Sequence, residues 1–153
     1  MIQGRGYVIP VVTLATGTSN NTNLLEFRTT ADVAAVLTTI QGHYSNGITS
    51  VNASYAVYRA SAATPGTAIT PLPTNPNSPA ATFTASRNPT GVGLSPTTPL
   101  ATFGGNGGSN FGWYPSVEEN QVFIPPSSVM IVRMIVAPTS SLNMEATIGV
   151  TEL

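Results

Sequence analysis

Lysine and cysteine are absent from these 153 residues, and histidine, aspartate and tryptophan occur once each, as His43, Asp32 and Trp113. Without cysteine there is no disulfide and no thiolate metal site, which fits synthesis in a reducing cytoplasm. Without lysine, positive charge rests on Arg5, Arg28, Arg59, Arg87 and Arg133, spread along the chain. Five scattered arginines make no basic stripe, so no nucleic-acid partner is expected. No apolar run is long enough to span a membrane, and the opening "MIQGRGYVIPVV" has too short an apolar core for a signal peptide.

Charge of either sign is scarce. Asp, Glu, Lys and Arg make up 7% of the chain, with a net charge of −1, against about 25% in ordinary globular proteins. A hydrophobic fraction of 41% argues for a folded chain, and the length suits one domain. Its surface must then be mostly Thr, Ser, Asn and Gly. Interfaces are depleted in Lys, Glu and Asp, whereas a lone monomer normally relies on charge for solubility. An oligomer, or a protein covered by partners, is the expectation.

What is plentiful is punctuation. Fourteen glycines and thirteen prolines interrupt short runs rich in Val, Ile, Thr, Tyr and Phe, which is strand composition. Strands are predicted near 6–15, 23–29, 35–45, 50–60, 80–86, 99–103, 119–124, 128–137 and 142–152. Many short strands with such turns predict an all-β fold, a single-domain β-sandwich or jelly roll. Pro10 removes a backbone donor from the first run, so residues 1–15 are expected as an N-terminal arm or edge strand ahead of a sandwich domain over 16–153. Residues 31–42, "ADVAAVLTTIQG", fit a helical face or a strand, read as at most one helical turn and then a strand. Residues 61–80 hold five prolines and predict an extended surface connection.

The C-terminal segment invites a specific register. Met130, Val132, Met134 and Val136 alternate, as do Leu142, Met144, Ala146 and Ile148. A hairpin closed about Thr139 would set Met134 opposite Met144 on one apolar face. It would also set Arg133 opposite Glu145 as a cross-strand pair. Val129, Ile131 and Ile135 make the other face of that strand apolar too. It is therefore expected to be central, with its second face covered by another sheet or another subunit.

Catalytic signals are weak, and no enzyme, catalytic residue, metal or cofactor is expected. His43 and Asp32 are the only candidates for the last two members of a serine triad, and no nucleophile-elbow pattern lies near them. The adjacent acids Glu118 and Glu119 would point to opposite faces of a strand, a poor carboxylate couple. A solvated loop end is the better reading.

The sharpest question is "GGNGGSNFGWYPS" at 104–116. A phosphate-binding glycine loop would run into a helix, and this one runs into Phe111, Trp113 and Tyr114. Trp113 and Tyr114 can stack on a sugar, although Asp, Glu and Arg to support one are missing from the adjoining sequence. A docking loop with aromatic anchors is the other reading. A third has Trp113 plugging the end of the barrel.

The order of segments supplies a resemblance. An apolar N-terminal stretch is followed by "LLEFR", "YAVYRA", "PGTAITPLPTNPNSPAATFTA", a tryptophan segment, "FIPPSSVMIVRM" and a closing "EATIGVTEL". This resembles the small β-sandwich decoration (cement) proteins encoded among tailed-phage head genes. The resemblance covers most of the chain as a pattern of elements, with no diagnostic motif. It implies a viral structural protein of the virion's outer capsid surface, made in the host cytoplasm, commonly a homotrimer, with the major capsid protein as partner. Contact residues would be Tyr7, Ile9 and Val11 of the arm and Phe111, Trp113 and Tyr114 of the loop. Deleting residues 1–12 should then leave the sandwich folded and abolish attachment. The alternative is a carbohydrate- or receptor-binding module of a virion fibre or cell surface, with Trp113 as platform.

Overall fold

The computed structural model describes residues 4–46, 52–106 and 110–153. Residues 1–3, positions 47–51 at the start of the strand expected over 50–60, and positions 107–109 of the glycine run lie outside that range. Most breaks between strands fall on Gly, Pro, Asn and Ser clusters; the break at 29–34, "TTADVA", holds none of them. The strands are β1 (Arg5–Ala15), β2 (Thr22–Arg28), β3 (Ala35–Tyr44), β4 (Asn52–Thr64), β5 (Thr67–Ile69), β6 (Leu72–Pro73) and β7 (Thr84–Arg87). They continue as β8 (Thr90–Leu94), β9 (Ala101–Asn106), β10 (Phe111–Trp113), β11 (Val122–Ile124), β12 (Val129–Val136) and β13 (Asn143–Glu152). A 3-10 turn covers Glu118–Asn120.

Two antiparallel sheets pack face to face as a β-sandwich. The first runs β10-β3-β13-β1-β6, with β11 also on β3, and the second runs β5-β7-β2-β12-β4-β8, with β9 also on β4. The first four strands alternate between the sheets. Residues 31–32 form a turn and β3 starts at Ala35, as the strand reading of that segment expects.

The two sheets bury one alternating set from each long strand. Met130, Val132 and Met134 join Leu142, Met144, Ala146 and Ile148 in a single core with Leu25, Phe27, Leu37 and Ile40. The hairpin expected between the last two strands does not form. β12 lies in the second sheet between β2 and β4, and β13 lies in the first between β3 and β1. Strands facing each other across a core need the same side-chain parity as strands side by side, so period-two patterning cannot separate the two arrangements. The 137–142 connection crosses between sheets instead of turning back. Leu142 is fixed at the crossing by two bonds with Thr16, whose N–H donates to the Leu142 carbonyl at 2.8 Å and whose hydroxyl accepts from the Leu142 N–H at 3.0 Å.

Arg133 and Glu145 are therefore not a pair. The Arg133 Nε donates to Asn23 Oδ1 at 2.8 Å and its guanidinium sits 5.8 Å from the Tyr58 ring centre. Glu145 instead faces His43 at 3.5 Å. β12 is central, as its double apolar face requires. Within the chain, neighbouring side chains cover Ile131 on its outer face. Glu26 and Tyr58 flank the buried Ile131 in register. Arg28 adds to this cover, binding Glu26 Oε1 through Nε at 2.9 Å and the Ala63 carbonyl through a terminal nitrogen at 2.8 Å.

The N-terminal stretch is an edge strand and not a detached arm. β1 pairs with β13 from Arg5 to Ala15, and Tyr7, Ile9, Val11 and Leu14 are core residues. Its other side is strand-paired, among the described residues, with the two residues of β6, and Pro10 lies beyond them, where a sheet tolerates proline. The proline-rich connection straps this edge. The Tyr7 hydroxyl donates to the Pro79 carbonyl at 3.1 Å and the Thr74 N–H to the Gly6 carbonyl at 2.9 Å. The buried Glu152 joins Arg5 to the N–H and hydroxyl of Thr82. Such cover protects an edge from pairing with foreign strands.

Candidate functional site

The stretch after the glycine run is divided between core and surface. β10 and β11 lie end to end along one edge of β3, Trp113 opposite Ile40 and Val122 opposite Leu37. The intervening loop, 114–121, therefore projects from the sheet edge. Phe111 points inward and is buried in an aromatic cluster, its ring centre 4.9 Å from that of Tyr44, 5.7 Å from Tyr55 and 6.3 Å from Phe103. Trp113 is half-buried against the core. Tyr114 turns out and is 61% exposed.

Of the six residues expected at a partner surface, Tyr7, Ile9, Val11 and Phe111 are at most 3% exposed. They hold the sandwich together and are not contact residues. A strand that alternates Tyr, Ile and Val beside a proline reads equally well as an arm or as a buried edge strand. Tyr114 and the open side of Trp113 remain. Around them the fold gathers residues that sequence order keeps apart: Leu100 before β9, Arg59 on β4 and Phe123 on β11. With Tyr114 they wall a concavity of about 650 Å³, where the edges of the two sheets meet. Leu100 is 40% and Phe123 45% exposed. The one hint in the sequence was the "VFI" run at 122–124, whose middle side chain, Phe123, must face away from the core if its neighbours face in.

Charge at this surface is sparse. Arg59 contributes the basic group of the wall and Glu119 an acid. The 3-10 turn puts Glu118 and Glu119 on the loop side, with neither buried.

A second depression lies on the outer face of the first sheet. Gly112, Gln41, Thr147 and Pro10 form one row across four strands, and His43 and Glu145 sit in the next. The Tyr114 ring lies over Gly112, where any Cβ would collide with it, and its hydroxyl donates to Gln41 Oε1 at 3.4 Å. Pro10, Gln41, His43, Tyr114, Glu145 and Thr147 line a shallow groove of about 410 Å³. His43 thus has Glu145 beside it, a carboxylate far off in sequence. Among the described residues no group of three or more His, Cys, Asp or Glu comes together, and no helix is long and apolar enough to cross a membrane.

The chain matches no protein-family model, no curated protein and no solved structure.

Proposed function

We propose that this chain is a structural virion protein that decorates the outer surface of a tailed-phage capsid and stabilises the shell by protein–protein contact. One observation carries the reading. On a molecule with 7% charged residues, the exposed Leu100, Tyr114 and Phe123 and the half-buried Trp113 gather about one concavity with Arg59 as its basic member. Aromatics with an arginine and little other charge are the composition of interface hot spots. The segment pattern that resembles capsid decoration proteins gives the partner, the major capsid protein.

The energetics favour many copies acting together. Covering the exposed parts of Leu100, Tyr114 and Phe123 removes on the order of 250 Å² of apolar surface, about 6 kcal/mol before costs. The entropy lost on association consumes most of that for a single copy. Three linked copies on a repeating shell turn the later contacts into intramolecular ones, which is the advantage a trimer offers.

The test is co-sedimentation with capsid shells that lack the protein. Saturable binding is expected for the parent chain, with occupancy strongly reduced for the Leu100→Ser, Phe123→Ser variant, whose changes lie on the surface. No binding by the parent chain, or full occupancy by the variant, would overturn the proposal.

A further inference from the structure

The groove on the outer face of the first sheet is distinct from the apolar concavity, although Tyr114 borders both. Its floor is low because the residues forming it are small or ring-closed: Gly42, Thr147 and Pro10. The row from Gly112 to Pro10 crosses four strands, about 14 Å at ordinary strand spacing. One end is closed by an exposed aromatic ring that rests on Gly112, so the ring is supported from behind and presents a face to solvent. Beside it stand an amide (Gln41), an imidazole (His43), a carboxylate (Glu145) and a hydroxyl (Thr147).

We propose that this groove binds a neutral hexopyranose oligosaccharide, with Tyr114 as the stacking platform. A sugar ring offers an apolar C–H face and a rim of hydroxyls that both donate and accept. The Tyr114 ring matches the first. Gln41, His43, Glu145 and Thr147 match the second, since together they supply donors and acceptors in a strip parallel to the ring's reach. Vicinal hydroxyls can both donate to the Glu145 carboxylate. The same carboxylate repels an acidic sugar, and the groove has no arginine or lysine to attract one. That selects neutral over uronic sugars. The volume, about 410 Å³, accepts a disaccharide, and the shallowness sets single-site affinity in the millimolar range. The sequence hid this site because its polar members come from β3 and β13, far from the aromatic run.

The experiment is a heteronuclear NMR titration of the isotope-labelled full chain with lactose, maltose and cellobiose, and with digalacturonate as the acidic comparison. At least one neutral disaccharide is expected to shift the amides of Gln41, Gly42, His43, Gly112 and Thr147. Tyr114→Ala should weaken that binding by about tenfold, whereas Tyr114→Phe should keep it. Gln41→Ala, which leaves the platform in place, should also weaken it. Both positions are at the surface, so the parent spectrum should persist elsewhere. Phe123→Ser, in the apolar concavity, should leave sugar binding unchanged, so loss of shell binding and loss of sugar binding are read separately. The proposal fails if no neutral disaccharide moves these amides, if Tyr114→Ala binds as tightly as the parent, or if digalacturonate binds best.

Discussion

Tyr44 and Tyr55 share a buried polar contact, their hydroxyls 2.8 Å apart within the aromatic cluster. Tyr55 is 0% exposed and Tyr44 5%, and that difference sets an order among variants. Tyr44→Phe leaves the Tyr55 hydroxyl in the core without its partner, a loss of about 2–3 kcal/mol for an unsatisfied buried group. Tyr55→Phe leaves the Tyr44 hydroxyl nearer the surface, where rehydration limits the loss to about 1 kcal/mol. Replacing both removes the problem, so the double variant should lie within about 1 kcal/mol of the parent. Denaturant unfolding of the four proteins measures all three quantities. Additive losses in the double variant would refute the reasoning, because they would mean each ring contributes independently of the shared bond.

The same pair predicts a pH dependence. Burial pushes both phenols above the ordinary value, Tyr55 further because its bond to Tyr44 and the charge of an ionised Tyr44 also raise it, whereas the same bond moderates the rise of Tyr44. In the unfolded chain both ionise near pH 10. The folded state then holds more protons than the unfolded one, so the pair's contribution is fully present below about pH 10 and is lost as pH rises beyond it. The double phenylalanine variant should lose less stability than the parent across that window.

Three further outcomes follow from the packing. Arg133→Ala should cost about 1–2 kcal/mol through its bond to Asn23 and its place over Tyr58, and Glu145→Ala under about 0.5 kcal/mol at an exposed histidine contact. The two should add in a double-mutant cycle, and a coupling above about 1 kcal/mol would restore the hairpin register. Arg28→Ala withdraws the cation from Glu26, which is 2% exposed with Oε2 otherwise unpartnered, and should cost about 3 kcal/mol. Thermal unfolding checks this, and an unchanged midpoint would contradict it. Removing residues 1–12 takes Tyr7, Ile9 and Val11 from the core and should abolish the cooperative unfolding transition. A truncated chain that still unfolds cooperatively would show that the sandwich does not need β1.

Most of the fold was legible because it depends on local signals. Gly/Pro breaks delimit the strands, and parity correctly placed Met130, Val132, Met134, Met144 and Ile148 inside. Which strands neighbour one another was not legible, since facing strands and adjacent strands obey the same alternation. The surface suffered more from the same gap. Phe111, Trp113 and Tyr114 are consecutive in the aromatic run, yet one is core, one is half-buried and one is exposed. Their fates follow from β10 pairing with β3, a contact between segments about 70 residues apart. Phe123, Leu100 and Arg59 were invisible as a group for the same reason, as were Gln41, Glu145 and Thr147.

The most direct test of a docking face at the meeting of the two sheet edges is hydrogen exchange on the chain bound to shells, compared with the free chain. The proposed role predicts slowed exchange through Leu100–Thr102 and the 113–123 segment, with little change along Gln41–His43 and Glu145–Thr147. Protection confined to the outer face of the first sheet, or no protection anywhere, would contradict it.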